Sequence, residues 1–104
     1  MSEDQAPFSV TATQGDDRFV LTVTGELDAA TTVDLESAIQ DADPSASGLE
    51  VDLTGVSFID SSGLRTLVMA RQSAEESGRR FSISGSSKAV DRLLELTGLE
   101  TLRD

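Results

Sequence analysis

Apolar and polar positions alternate twice near the start of the chain. Phe8, Val10 and Ala12 are interleaved with Ser9, Thr11 and Thr13, a period-2 pattern that predicts a first strand. Gly15-Asp16-Asp17 supplies a turn, and Phe19-Val20-Leu21-Thr22-Val23-Thr24 follows as a second strand rich in β-branched residues. The close spacing predicts a hairpin. Gly25-Glu26-Leu27-Asp28 is expected to break that strand, and a helix should begin near Thr31 or Thr32, with Val33, Leu35, Ala38 and Ile39 as its apolar face. Residues 41–48, with Pro44, read as a loop. Leu49, Val51 and Leu53 then alternate with Glu50, Asp52 and Thr54 as a third strand.

The pattern changes period after Asp60. From Ser61 to about Ser77, Leu64, Leu67, Val68 and Ala74 share a helical face, and Gly78 is a good stop. Phe81 and Ile83 mark a fourth strand. A last helix is expected from Ser86 or Ser87, placing Val90, Leu93, Leu94 and Thr97 at helical spacing and ending at Gly98, with Leu99 set for a capping contact. The order is ββαβαβα. Strand–helix–strand units favour parallel pairing through right-handed crossovers, and the hairpin makes the first strand antiparallel to the second. The predicted fold is a small mixed α/β sheet with helices packed on it: one domain over residues 8–104, preceded by a flexible end at residues 1–7.

Parallel strands send their helix-leading loops to one edge. Those loops are residues 25–31, 54–61 and 85–87, and open α/β sheets carry their functional groups at this carboxyl edge. Asp28, Asp60, Ser61 and Ser62 should therefore lie on one acidic, hydroxyl-rich surface beside helix N-termini with unpaired N–H donors. Each residue also has a purely structural reading. Ser61 or Asp60 serves as an ordinary N-cap, worth about 0.5–2 kcal/mol; Asp28 starts a turn; Gly25, Gly55 and Gly63 supply permissive backbone. Cap chemistry alone does not choose among Ser57, Ser61 and Ser62 as a modified residue.

Composition narrows the chemistry. With 104 residues, 38% hydrophobic and 26% charged, the chain fits one ordinary globular domain. Eight Lys and Arg against nineteen Asp and Glu give a net charge of -11, which opposes nucleic acids and anionic lipid; it fits either a basic protein partner or acidity that only aids solubility. No apolar run approaches the length of a membrane span, and the polar start lacks the parts of a signal peptide. Zero Cys excludes disulfides and points to a reducing cytoplasm. Zero His and zero Cys together remove the Ser-His-Asp and Cys-His systems and most zinc sites, and there is no P-loop. No cofactor is implied, and an enzyme is the weaker reading.

Gly25-Glu26-Leu27-Asp28 with Thr31, Val51-Asp52-Leu53 leading to Phe58-Ile59-Asp60-Ser61-Ser62-Gly63-Leu64, and Ala89-Val90, Leu93-Leu94, Thr97-Gly98-Leu99 together resemble the STAS family. The bacterial anti-sigma factor antagonists are its most similar-looking members, and the likeness runs over about residues 8–104. The resemblance implies a cytoplasmic switch protein. Unphosphorylated, it binds an anti-sigma factor that is itself a serine kinase; phosphorylated by that kinase it lets go, and a serine phosphatase restores it. It implies phosphorylation at Ser61, and partner contact through Glu26, Asp28, Asp60, Ser61, Ser62, Gly63 and Arg65. With no Trp or Tyr, interface anchors must be aliphatic, Phe, Arg or polar. A non-switching STAS scaffold in a transport or signalling assembly is the alternative.

Overall fold

Strand alternation and β-branched content build the centre of the fold. In a computed structural model, which describes residues 7–42 and 46–103, β1 (Ser9–Gln14) and β2 (Arg18–Leu27) form the predicted hairpin, in register from Ser9↔Thr24 to Gln14↔Phe19. The expected end at residues 1–7 falls almost wholly outside the described residues, as do residues 43–45 of the expected loop. α1 (Thr32–Asp41), β3 (Gly48–Ile59), α2 (Ser61–Glu76), β4 (Arg80–Ser86) and α3 (Lys88–Thr97) follow. The sheet order is β1-β2-β3-β4, with β2, β3 and β4 parallel. Leu21, Val23, Leu27, Val51, Leu53 and Val56 from the sheet join Leu35, Leu67, Val90 and Leu94 from the helices in one core, each at most 1% exposed. A short 3-10 turn, Glu100–Arg103, adds buried Leu102.

Two strand ends differ from expectation. β2 does not break at Gly25 but continues through Glu26 to Leu27. Gly25 has φ +92, and a Cβ there would stand 2.7 Å from Phe8 Cα and 2.9 Å from Phe8 N. The glycine admits close approach of the neighbouring backbone, and the ladder goes on past it. β3 likewise does not stop near Thr54; it pairs with β2 as far as Leu27↔Ile59. Two register shifts in this pair, at Thr22/Thr24 and Gly25/Glu26, insert extra residues into β3. These bulges interrupt the period-2 pattern, so the buried set passes from Leu53 to Val56 to Ile59.

The helices carry smaller corrections. α1 buries Thr32 and Leu35, whereas Val33 is 56% exposed and is not part of the inward face. α2 buries Gly63, Leu64, Thr66, Leu67, Ala70 and Ala74, with Val68 half-buried against the core. Gly78 and Gly98 both take the left-handed conformation that ends α2 and α3, each at φ +72.

Gly25 and Gly78 separate two kinds of glycine requirement. Gly78 has nothing within 4 Å of a new Cβ, so Gly78→Ala should cost only the left-handed backbone strain, about 1–2 kcal/mol. Gly25→Ala adds collision with the Phe8 backbone, just before β1, and should cost about 1–3 kcal/mol more. Urea unfolding of both variants measures the difference; equal midpoints would remove the close-approach explanation.

Candidate functional site

The site is assembled by the last paired residues of β2 and β3. Leu27 and Ile59 are register partners, so the next residues, Asp28 and Asp60, leave adjacent strands side by side. Asp60 N–H donates to the Leu27 carbonyl at 3.3 Å, which ties the two exits together. The connection from β3 to α2 is Asp60 alone, much shorter than the expected loop over residues 54–61.

Asp60 is the N-cap of α2. Its backbone is extended, and Oδ1 accepts from the N–H of Ser62 at 2.9 Å and of Gly63 at 3.2 Å. Two orphan donors of the first turn are thereby satisfied by one carboxylate. Ser61 is therefore not the cap. It occupies the first helical position, exposed, and its hydroxyl makes no hydrogen bond among the described residues. Ser62 is half-buried. Gly63 is buried because a Cβ there would stand 2.8 Å from Leu27 Cγ and 3.0 Å from Ile59 Cγ1. Its role is to let α2 sit down on the strand ends, so its reach to a partner is through the backbone. Ser57 is also exposed, but it is the bulged residue of β3 between Val56 and Phe58, away from the helix N-terminus.

Asp28 folds its own loop. Oδ1 accepts from the N–H groups of Ala30 and Thr31, each at 3.0 Å, and Asp28 N–H donates to Thr31 Oγ1 at 2.9 Å. The Thr31 hydroxyl reaches the Glu26 carbonyl at 2.7 Å, with Asp28 Oδ1 also at 3.1 Å. Hydrogen bonding from the Thr31 N–H, then from its hydroxyl, holds the Asp28 carboxyl below its ordinary value of 3.8. Asp28 is thus an anion at neutral pH, beside the anionic cap of α2.

The remaining expected residues divide. Arg65 lies one helical turn beyond Ser61, exposed, with no ion pair among the described residues. Glu26 stands within β2 opposite Phe58, rather than in the loop. The loop over residues 85–87 does not join this edge: β4 ends with Ser86 opposite Leu53, halfway along β3, and Ser87 caps α3 there by accepting from Val90 N–H. Sequence reasoning missed Phe58 as a surface residue. It is 47% exposed because the bulge at Ser57 turns it out of the core, and the only signal was its place next to the motif. Among the described residues, no group of three or more acidic side chains is arranged to hold a metal ion.

The cap assignment has a direct check. Asp60→Ala should lower stability by about 1 kcal/mol, within the usual 0.5–2 for a lost cap, while Ser61→Ala should stay within about 0.5 kcal/mol of the parent. Denaturant unfolding that reversed this order would return the cap to Ser61. A second check is pH. Asp52, like Asp28, is held below its ordinary value, chiefly by the Thr54 hydroxyl and then by the Thr54 N–H. A depressed folded-state value contributes stability in full above the unfolded value and loses it as pH falls through the folded one. Stability should therefore decline below about pH 4, and Asp28→Asn should flatten part of that decline. An unchanged acid limb in the variant would show that the Asp28 hydrogen bonds add nothing to folding.

Residues 10–104 match the family model described as "Mlab, STAS domain". The chain is 32% identical over 88 residues to the anti-sigma-B factor antagonist of Staphylococcus epidermidis, covering 84% of this chain and 82% of that protein. Its fold is similar to the crystal structure of an anti-sigma factor antagonist from Mycobacterium paratuberculosis, with a TM-score of 0.78, 30% identity, and coverage of 95% and 86% of the two chains. The fold is also similar to the Bacillus cell fate determinant SpoIIAA in its phosphorylated form, with a TM-score of 0.71 at 18% identity, covering 94% and 89%. With the β-β-α-β-α-β-α order and the four-stranded mixed sheet in place, the chain belongs to the STAS-domain family of anti-sigma factor antagonists.

Proposed function

We propose that this protein binds an anti-sigma factor through the Asp28–Asp60 edge, and that phosphorylation of Ser61 releases it. The observation that carries the reading is the free Ser61 hydroxyl at the first position of α2. Asp60 has taken over the capping, so Ser61 can be modified without undoing the helix start. In this reading the anti-sigma factor is the serine kinase, a serine phosphatase reverses the mark, and the exchange takes place in the cytoplasm. The protein acts by association and does no chemistry of its own. No described helix is long and apolar enough to cross a membrane. The partner surface includes Glu26, Asp28, Asp60, Ser61, Ser62, Gly63 and Arg65, to which exposed Phe58 adds an apolar anchor.

The electrostatics support a switch that acts on the complex more than on the fold. A phosphate adds about -1.5 to -2 charge at neutral pH. Within the free domain, the N-terminal end of α2 offsets part of that charge, and SpoIIAA, of the same fold, has been solved in a phosphorylated form. In an interface the same group is pressed against Asp60 and Asp28 and loses solvent. An unfavourable change of ~3 kcal/mol weakens binding more than 100-fold. Arg65 pairs with the phosphate from the surface, which returns only about 0–1 kcal/mol. It moderates the switch and leaves its sign unchanged.

Incubation with the cognate anti-sigma factor and ATP should place phosphate on Ser61, mapped by mass spectrometry. Ser61→Asp should weaken the complex by on the order of 100-fold in titration calorimetry, and Ser61→Ala should keep it. Phosphate on Ser57 or Ser62, or a complex indifferent to Ser61→Asp, would reject the switch and leave a constitutive STAS scaffold.

A further inference from the structure

Thr32 and Thr66 are buried polar residues, 8% and 4% exposed, and their hydroxyl oxygens lie 2.6 Å apart between α1 and α2. Thr32 is the first residue of α1, directly after the loop that Asp28 organises, and its N–H donates to the Asp28 carbonyl at 2.8 Å. Thr66 lies one turn past Ser62, and its hydroxyl reaches back to the Ser62 carbonyl at 3.2 Å, with Glu36 Oε2 at 3.4 Å. The two hydroxyls supply two protons. Thr32 has no other acceptor among the described residues, so both protons are used when Thr32 donates to Thr66 and Thr66 donates to Ser62. The result is a directed chain that starts beside the Asp28 loop and ends on the first turn of α2.

We infer that this pair is a positioning device, which holds the Asp28 loop in register with the Ser61 end of α2 so that one partner surface spans both. Between the helices the pair is accompanied by apolar packing around Leu35 and Leu67, which is non-directional, and by the Glu36 contact to the same Thr66 hydroxyl; the contacts in the sheet are Leu27↔Ile59 and the Asp60 N–H bond to Leu27. The sheet contacts fix where the strands end. They do not fix how α1 and α2 rotate about that end. A buried hydroxyl pair does, because sliding either helix separates a donor from its acceptor where water cannot replace it.

The chain is asymmetric, and that gives its test. Thr32→Val keeps shape and volume and leaves Thr66 still bonded to Ser62, so no buried hydroxyl is orphaned. Thr66→Val strands the Thr32 hydroxyl without its acceptor. Thr32→Val should therefore unfold at nearly the parent urea midpoint, Thr66→Val clearly earlier, and the double variant no earlier than Thr66→Val. In Thr32→Val, amide exchange at Ala30 and Thr31 should quicken about tenfold while core amides such as Val51 and Leu67 keep the parent rate. The anti-sigma factor arm rests on the function proposed above: affinity should fall about tenfold, and Thr32→Ser, which retains the hydroxyl, should restore both readouts. Parent-like exchange in Thr32→Val, a failure of Thr32→Val to fold, or exchange that quickens throughout the core would each overturn the positioning role. If Ser61→Asp leaves the complex intact in a chain that keeps Thr32 and Thr66, the proposed function fails alone, since the exchange measurement needs no partner.

Discussion

The parallel pairing of β2 with β3 up to Leu27↔Ile59 is the constraint on which the rest depends. Leu21, Val23, Leu27, Val51, Leu53, Val56 and Ile59 hold it, nearly all of them fully buried, each contributing roughly 1.5–3 kcal/mol of burial. Because strand side chains alternate, a slip by one residue would move one of these sets to the wrong face. The two bulges in β3 use that same rule. Each shifts the phase by one, and together they bring Ile59 back to the buried face at the level of Leu27. With a single bulge the strand would end out of phase, and Asp60 would not emerge beside Asp28.

From that pairing follows a separation of duties at the edge. Asp60 and Asp28 each spend a carboxylate oxygen on local N–H groups, the first on α2 and the second on its own turn. Backbone donors that an incoming anion would use are therefore already engaged by carboxylates belonging to the fold. Ser61 stands among these groups with its hydroxyl uncommitted among the described residues. A phosphate placed there meets two fixed anions and the residual field of the helix end. The acidic edge is built into the structure before any modification occurs.

The legible and illegible parts of this arrangement have physical causes. Uninterrupted periodic segments were readable: the hairpin, the α2 face at Leu64 and Leu67, and the glycine ends of α2 and α3 all matched their patterns. Bulges were not, because an inserted residue destroys the alternation that identifies a strand. Thr54-Gly55 and Gly25 therefore looked like strand ends, and nothing marked Phe58 as a surface residue. The third loop was misplaced for a related reason. A parallel sheet sends its loops to one edge, but strand lengths set how far along that edge each one lies, and β4 is shorter than β3. Cap identity was ambiguous because Asp and Ser are both good caps in adjacent positions, and it takes the extended backbone of Asp60 and the N–H bonds its carboxylate accepts to separate them. The Thr32–Thr66 pair left no trace in the pattern, since threonine at those positions reads as an ordinary polar residue on a helix flank.

The reach of a Ser61 phosphate depends on what cancels between the free and bound protein. The helix field at the start of α2 is present in both states and favours the phosphate in both, so it offsets part of the cost without reversing it. Repulsion from Asp28 and Asp60 is also present in both, but water screens it in the free domain, where Ser61 is exposed. Only on binding does the surrounding medium change, and with it both the desolvation of the phosphate and the strength of that repulsion. The proposed switch is therefore as large as the partner's coverage of Ser61 and no larger. An apolar side chain beside the site, Phe58 at 47% exposed, favours close coverage and the exclusion of water that makes a single added charge decisive.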